Sequence, residues 1–427
     1  MRKRILVRGP ALSRSGYGEH TRFALRALRA NPDLYDIYLI PVGWGKTGWI
    51  FDDDEERKWI DEVINKTAVY QHSGGQYDIS LQVTIPGEWE KLAPINVGAT
   101  AGTETNKISP EWVRRSNLMD KIIVISDHTK SAFDKSAYEA QDTQTGATIP
   151  NYRCLTPVEV VNYPVKEVEP EQLQLELEYG FNFLVVAQWG VRKNIENTIS
   201  WFMEEFQNDE VGLVLKLNTM NNCIMDRNLT INKLHELVLS KKQNKDIKCK
   251  IYLLHGDLTE GQMTSLYQND KIKALINLAH GEGFGLPIFE AVYNGLPVIS
   301  PAWGGQVDFL YAPKKDKKKP NKEPRMRPFF AMVDYVLKPI QPEAVWADVL
   351  IQDSMWCFPH KGSYKNKLRS VYKEHGRYRK QAKELKRYIE EKLSNEKQKQ
   401  AFSDAVYKPG EENLEEWFSN LNIEEHS

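Results

Sequence analysis

The sequence predicts a doubly wound α/β protein made of two Rossmann-like halves facing each other across a cleft. Three observations carry this. Short, near-continuous apolar runs alternate with helical patterns through two successive series, as in parallel sheets covered on both faces. An acidic, proline-bearing stretch, residues 163–180 (YPVKEVEPEQLQLELEYG), separates the two series as a linker. Glycine-bearing turns follow strands at Gly16–Gly18 and at Gly281–Gly285. In open α/β sheets, the carboxyl ends of strands are where ligands bind.

The first series starts with a strand at Arg4–Val7, the glycine loop, and a helix from about Tyr17 to Arg29. Asp36–Val42 reads as a strand and Asp54–Asn65 as a helix, followed by short strands at Tyr77–Leu81 and Ile95–Gly98. A helix near Pro110–Ser116 has proline in its first turn, where its missing N–H costs nothing. Lys121–Ile125 is an apolar strand, Asp127–Lys135 a helix, and Pro157–Val161 the last strand of this half. The second series runs from strand Phe181–Ala187 through helix Ile195–Gln207, strand Val211–Leu217, helix Thr230–Leu239 and strand Lys250–Leu254. Helix Thr259–Gln268 and strand Lys273–Leu278 lead into the second glycine turn and a helix at Pro287–Tyr293, with Gly295 where a C-terminal cap belongs. A lysine-rich loop at 312–327, a long polar helix over about Tyr372–Gln400 and an amphipathic stretch at Leu414–Leu421 complete the chain. The expected units are residues 1–165, 166–405 and a C-terminal segment 406–427 packing back toward the first.

At 427 residues the chain is expected to hold two or three domains and is long enough to bury substantial cores. Its 41% hydrophobic and 27% charged residues are those of an ordinary globular protein, which excludes a disordered or fibrous class. No run of about 18 apolar residues occurs, so no transmembrane helix is expected. The apolar run in MRKRILVRGP is too short for a signal peptide. Four scattered cysteines with no Cys-x-x-Cys point away from a disulfide framework and a zinc site, and toward a reducing cytoplasm. The net charge of −1 is unevenly spread: residues 314–327 carry eight basic and two acidic side chains, and residues 361–400 fourteen basic and five acidic. Such stretches suit either a solvated surface or a polyanion.

The most informative segment is GEGFGLPIFE, residues 281–290. It reads strand, glycine turn, helix, with the helix opening at Gly283–Leu286. Free backbone N–H groups and the helix dipole at such a place suit an anion, phosphate above all. Glu282 and Glu290 frame the turn; carboxylates repel phosphate but accept hydrogen bonds from sugar hydroxyls. A ligand carrying both phosphate and sugar is expected.

EGFGLPIFEAVYNGLPVI closely resembles the E-x7-E signature of the GT-B glycosyltransferases of family 4 (group 1). FLVVAQWGVRKNIENTISWF is similar to that family's first strand and basic loop of the second half, and VEVVNYPV to the strand ending the first half. TETNKISPEWVRRSNLMDKIIVISDHTKSAF and RGPALSRSGYGEHTR resemble its sugar-facing segment and N-terminal glycine loop. The likeness covers roughly residues 1–310 and is most specific over 274–305. It implies a GT-B fold and retaining transfer from a nucleoside-diphosphate sugar to an acceptor hydroxyl, with no obligatory metal or other cofactor. By position, Glu290 would accept hydrogen bonds from the ribose. Glu282 would hold a sugar hydroxyl, and the backbone of Gly283, Phe284, Gly285 and Leu286 would lie near sugar and diphosphate. Lys193, helped by Arg192, would neutralise the departing diphosphate, where a fixed cation lowers the barrier as charge develops. Gly16 and Gly18 would bring the first half's backbone close to the donor, and Glu104 would face the sugar. Two positions depart from the family: Gln188 stands where an arginine is common, and Glu104 where many members have histidine.

Other candidates weigh less. Asp52, Asp53 and Asp54 invite comparison with a metal-binding Asp-x-Asp, but they precede a helix, whose dipole favours acids there. His20 and His280 lie next to the two glycine turns, and Trp303-Gly304-Gly305 follows the next strand, where it can shape the pocket. The expected partners are a nucleotide sugar and a saccharide or glycolipid acceptor. Two alternatives stay open: transfer to hydroxymethylated bases in DNA, whose backbone the stretches 314–327 and 361–400 would contact, and a non-catalytic sugar-nucleotide-binding protein.

Overall fold

The structure, a computed structural model, describes residues 2–45, 47–51, 53–141, 144–242, 246–315 and 323–410. Its first half alternates β1 (Lys3–Gly9), α1 (Gly16–Arg29), β2 (Tyr35–Pro41), α2 (Glu55–His72), β3 (Ile79–Val83), β4 (Ile95–Thr100), α3 (Pro110–Ser116), β5 (Lys121–Val124) and α4 (Asp127–Lys135). A hairpin of β6 (Ala137–Gln141) and β7 (Thr148–Arg153) precedes β8 (Val158–Val160). The second half runs β9 (Asn182–Gln188), α5 (Ile195–Glu205), β10 (Gly212–Asn218), α6 (Ile224–Lys242), β11 (Lys250–Leu254), α7 (Glu260–Gln268), β12 (Ile272–Ile276), α8 (Leu286–Tyr293), β13 (Val298–Pro301) and α9 (Val307–Leu310). Then come β14 (Tyr311–Lys314), β15 (Arg325–Pro328), β16 (Ala331–Val333), β17 (Tyr335–Pro339), β18 (Met355–Pro359), α10 (Lys361–Lys373), α11 (His375–Lys392) and α12 (Asn395–Val406).

Each half is built on a six-stranded parallel sheet. The orders are β2-β1-β3-β4-β5-β8 and β11-β10-β9-β12-β13-β16. Both reverse direction beside their first strand, between β1 and β3 and between β9 and β12. Such switch points leave a crevice at the carboxyl ends of the strands. All five residues of β3 are buried, as a strand covered on both faces requires.

The two sheets meet at those carboxyl ends. Ser126 Oγ, beyond β5, donates to the Gly283 carbonyl at 2.7 Å. Asp308, on α9, accepts from Asn162 Nδ2 and from the Asp127 N–H, at 2.9 and 3.0 Å. An aromatic core runs between the halves: Tyr163 packs on Phe284 (centroids 5.0 Å apart) and Phe284 on Phe309 (4.9 Å). The return to the first half is made by α12, whose Phe402 meets Phe23 of α1 edge to face, with centroids 5.2 Å apart. Tyr35 Oη donates to the Ser403 carbonyl at 2.9 Å. The stretch Leu414–Leu421, expected to make that crossing, lies outside the described residues, as does Asp52.

Differences from the sequence reading have local causes. The β6–β7 hairpin is exposed along most of its length, so it shows no apolar pattern. The long helix expected over 372–400 is two helices: Leu393 ends α11, and the Ser394 hydroxyl caps α12 by accepting from the Lys397 N–H. The break is held by the linker, whose Val165 N–H donates to the Leu393 carbonyl at 2.8 Å. The ends of the lysine-rich loop pair as β14 and β15; residues 316–322 lie outside the described ones.

Gly18, not Gly16, is the sterically required glycine of the first turn. A Cβ on Gly18 would stand 1.9 Å from the Ser13 carbonyl oxygen, whereas one on Gly16 would meet nothing within 4 Å. Gly18→Ala is therefore expected to destabilise the protein by about 1–3 kcal/mol, the usual cost of overpacking. Gly16→Ala should be neutral or slightly stabilising. The denaturant midpoints of the two variants check this.

Candidate functional site

The turn after β12 is shaped to receive the opposite half. A Cβ on Gly281 would lie 1.9 Å from the Glu104 carbonyl oxygen, and one on Gly283 would lie 2.6 Å from that of Ala101. These glycines let the loop after β4 rest directly on the turn. Gly285 adopts φ +91° and starts α8, with Pro287 in its first turn. Among the described residues, none accepts a hydrogen bond from the N–H groups of Gly283, Phe284, Gly285 or Leu286. These donors stand at a helix N-terminus, a geometry suited to an anion. The Gly304-Gly305 loop backs the turn, and the Gly305 N–H donates to the Glu282 carbonyl at 2.8 Å.

Five polar side chains converge beside it. Glu282 is 5% exposed. Its carboxylate accepts from Lys193 Nζ at 2.6 Å, Asn277 Nδ2 at 2.9 Å and Arg192 at 3.2 Å. Arg192 also donates to the Gly281 carbonyl at 2.8 Å and reaches Glu104 at 3.3 Å, so one guanidinium bridges the halves. The loop carrying both cations is tied to the turn. The His280 N–H donates to the Arg192 carbonyl (2.8 Å), and Asn194, in a left-handed conformation at φ +54°, donates through Nδ2 to the Leu278 carbonyl. Burial alone would raise the Glu282 pKa, but Lys193 and Arg192 outweigh it and hold the carboxyl down at about 2. Glu282 is thus a permanent anion and acceptor, unable to act as a general acid near neutrality. Burial and the Arg192 charge push the Lys193 pKa below its ordinary value.

Glu290 sits apart from this cluster. It lines a cavity of about 90 Å³ between α7, α8 and the start of the linker, with Tyr267, Thr264, Leu258 and Lys166. Tyr267 Oη donates to its carboxylate at 2.7 Å. Desolvation pushes the Glu290 pKa up to about 7. Lys166 bridges Glu19 of α1 (2.8 Å) and Glu260 of α7 (2.6 Å), linking this cavity to the first glycine turn. That turn is also tied to the β4 loop, through Tyr17 Oη and Thr100 Oγ1 at 2.7 Å.

The structure thus brings Glu104, Arg192, Lys193, Glu282 and the 283–286 backbone together. It places Glu290 in its own cavity at the far end of the same motif. Several candidates are structural instead. His280 is buried, with Nδ1 2.7 Å from the Cys357 carbonyl and its ring stacked on Trp356. His20 is fully buried among Phe23, Tyr163 and Phe402. Asp54 caps α2, accepting from the Arg57 N–H at 2.7 Å. The Phe284 side chain points into the aromatic core, which leaves only its backbone for a ligand. Gln188 donates to the Thr219 carbonyl at 3.0 Å and brings no charge where an arginine would. Sequence reasoning missed Asn277, Tyr267 and Lys166. Asn277 gave a signal, a polar residue closing an apolar strand just before the motif; the other two lie on elements whose facing only packing reveals.

Comparison with known proteins draws on shape alone. No model of a known protein family matches the chain, and no curated protein matches it in sequence. Among solved structures, a sucrose-phosphate synthase from Thermosynechococcus elongatus superposes with a TM-score of 0.60 at 12% identity, covering 98% of this chain and all of that one. A glycosyltransferase from Rickettsia africae gives 0.54 at 13% identity over 99% of both chains. The Anabaena protein HepE, in complex with UDP and glucose, gives 0.54 at 12% identity, covering 95% of this chain and 99% of that one. The fold is GT-B. In this GT-B protein the β4 loop of one half meets the 192–193 and 281–286 loops of the other. Among the described residues, no helix is long and apolar enough to cross a membrane.

Proposed function

We propose that the chain is a retaining glycosyltransferase, related to family 4, that moves a sugar from a nucleoside-diphosphate sugar to a hydroxyl of a saccharide or glycolipid. One observation carries this reading. A buried carboxylate, two cations paired with it and a row of unpaired backbone N–H groups converge at the β9/β12 switch point. A site for a sugar hydroxyl joined to a diphosphate needs this set. The ribose would lie at the Glu290 cavity, with its hydroxyls donating to Glu290. The diphosphate would meet the 283–286 N–H groups together with Lys193 and Arg192. Both cations now rest on Glu282, so an arriving diphosphate shares them rather than meeting bare charge. As the glycosidic bond breaks, charge grows on the leaving phosphate, and Lys193 stabilises it there. Glu282 then keeps its acceptor role toward a sugar hydroxyl. Closure of the first half's loop over the turn excludes water, which competes with the acceptor. The domain limits proposed are residues 1–165 and 166–405, with α12, at the end of the second range, packing on α1 of the first; the third proposed segment, 406–427, lies mostly outside the described residues.

Two structures of similar shape hold UDP with glucose and a 2-fluoro analogue of UDP-glucose, so uridine donors are the first to try. Polyanion binding gains less support: Lys361, Lys365 and Arg369 of the basic stretch pair with Glu204, Glu205 and Asp209. The test of the stereochemical claim is proton NMR of the product formed from an α-linked donor. An α-anomeric signal is expected; a β-anomer appearing first would contradict retention.

A further inference from the structure

The basic stretch 361–400 has no part in the proposed transfer, and its charges have different fates. On α10, Lys361, Lys365 and Arg369 are paired, as above. On α11, Arg379, Lys383 and Lys386, spaced four and three apart, share one face of the helix. They line a cavity of about 380 Å³ whose other walls are the end of α7, the start of β12 and the turn after α8. Lys273 of β12 lines it as well, with its ammonium on the Asp270 carbonyl. Among the described residues, Arg379 and Lys383 have no carboxylate partner. Lys386 reaches Glu390 at 3.5 Å in a partly exposed pair. The lone carboxylate among the described lining residues is the exposed Asp270. The C-terminal ends of α7 and α8 abut the cavity and favour cations, but only weakly. They do not balance four cations gathered around one cavity.

We propose that this cavity is a binding site for a small, multiply charged phosphate anion, with Arg379 and Lys383 as its principal contacts. The class follows from the groups present. An arginine fork matches two phosphate oxygens, lysines add mobile point charges, and the amides of Gln268, Asn269 and Asn294 supply neutral donors. The cavity's size, about 380 Å³, suits a small anion, and its two principal side chains, Arg379 and Lys383, are exposed to one. The cavity shares Tyr267 and Asn294 with the Glu290 cavity. Asn294 Nδ2 donates to the Glu290 carbonyl, and Gln268 Nε2 to Asn294 Oδ1, both at 2.9 Å. An anion here would therefore lie against the back of α8 and not in the cleft.

The test is calorimetric titration of the full chain with inorganic tripolyphosphate at fixed salt. The wild type is expected to bind it, and Arg379→Ala/Lys383→Ala to weaken binding about tenfold or more, since each charge-assisted hydrogen bond contributes on the order of 1.5–3 kcal/mol. Lys383→Gln, which keeps the stem, should give part of that loss. Any second phase from the cleft should vanish in Lys193→Ala while the phase that depends on Arg379 and Lys383 stays, which separates the two sites. Arg377→Ala/Lys380→Ala, on the same helix but outside the lining, should also leave it unchanged. The proposal is overturned if the wild type does not bind, if the loss appears with Lys193→Ala instead, or if the control pair loses as much, which would mean diffuse surface attraction. Circular dichroism melts check that each variant is folded.

Discussion

Lys193→Ala is expected to lower kcat for sugar transfer by about 10²–10³-fold, the loss typical when a fixed charge facing a developing anion is removed. The effect should fall mainly on kcat, because the ground-state diphosphate still meets Arg192 and the 283–286 N–H groups. Lys193 also pairs with the buried Glu282 at 2.6 Å. Removing one partner of a buried pair destabilises by about 3–5 kcal/mol when nothing replaces it. Here Arg192 and Asn277 remain, so a smaller loss is expected. A second variant separates the two effects. Lys193→Met combined with Glu282→Gln removes both charges, so its unfolding midpoint should recover toward wild type while kcat stays low. A double variant that regains activity along with stability would show Lys193 to be a structural cation.

The second large effect concerns Glu290, whose pKa desolvation raises to about 7. Ribose hydroxyls donate hydrogen bonds, so they bind the ionised carboxylate better than the acid. Below that pKa, the protein must release a proton for the nucleotide to bind. Affinity for the nucleoside diphosphate should therefore rise by up to about tenfold per pH unit below pH 7 and level off above it, by proton linkage. Glu290→Gln should flatten this profile. Glu290→Ala should weaken nucleotide binding by about 10²-fold, the loss of two hydrogen bonds to a charged acceptor. Titration calorimetry between pH 5.5 and 8.5 in two buffers of different ionisation heat reads both affinity and proton release. A flat wild-type profile would remove Glu290 from the ribose.

The fold was largely legible in the sequence because its strands are buried on both faces and its helices carry regular apolar stripes. The glycine turn at 281–285 was legible because Gly283, Gly285 and Pro287 each have one local job. What the pattern could not show depends on packing. Nothing in the spacing of Arg192, Lys193 and Glu282 says that the two cations rest on the acid, or that Arg192 reaches Glu104 in the other half. His280 adjoins the motif in sequence, yet its ring faces Trp356 from β18, an element that carries no recognisable motif. The break at Leu393-Ser394 was hidden because both helices have the same polar, lysine-rich composition. Gly18 was read as a companion of Gly16, while the steric demand falls on Gly18 alone.

The proposal that the 192–193 and 281–290 loops form a working site for a nucleoside-diphosphate sugar stands or falls on turnover. Its most direct test is to incubate the protein with a panel of nucleotide sugars, with and without sugar acceptors, and to measure released nucleoside diphosphate. The account predicts release from at least one donor by the wild type, with the rate lowered at least a hundredfold in Lys193→Ala, on the order expected for a lost transition-state contact. Tight nucleotide binding without release from any donor, or release that Lys193→Ala leaves unchanged, would contradict it.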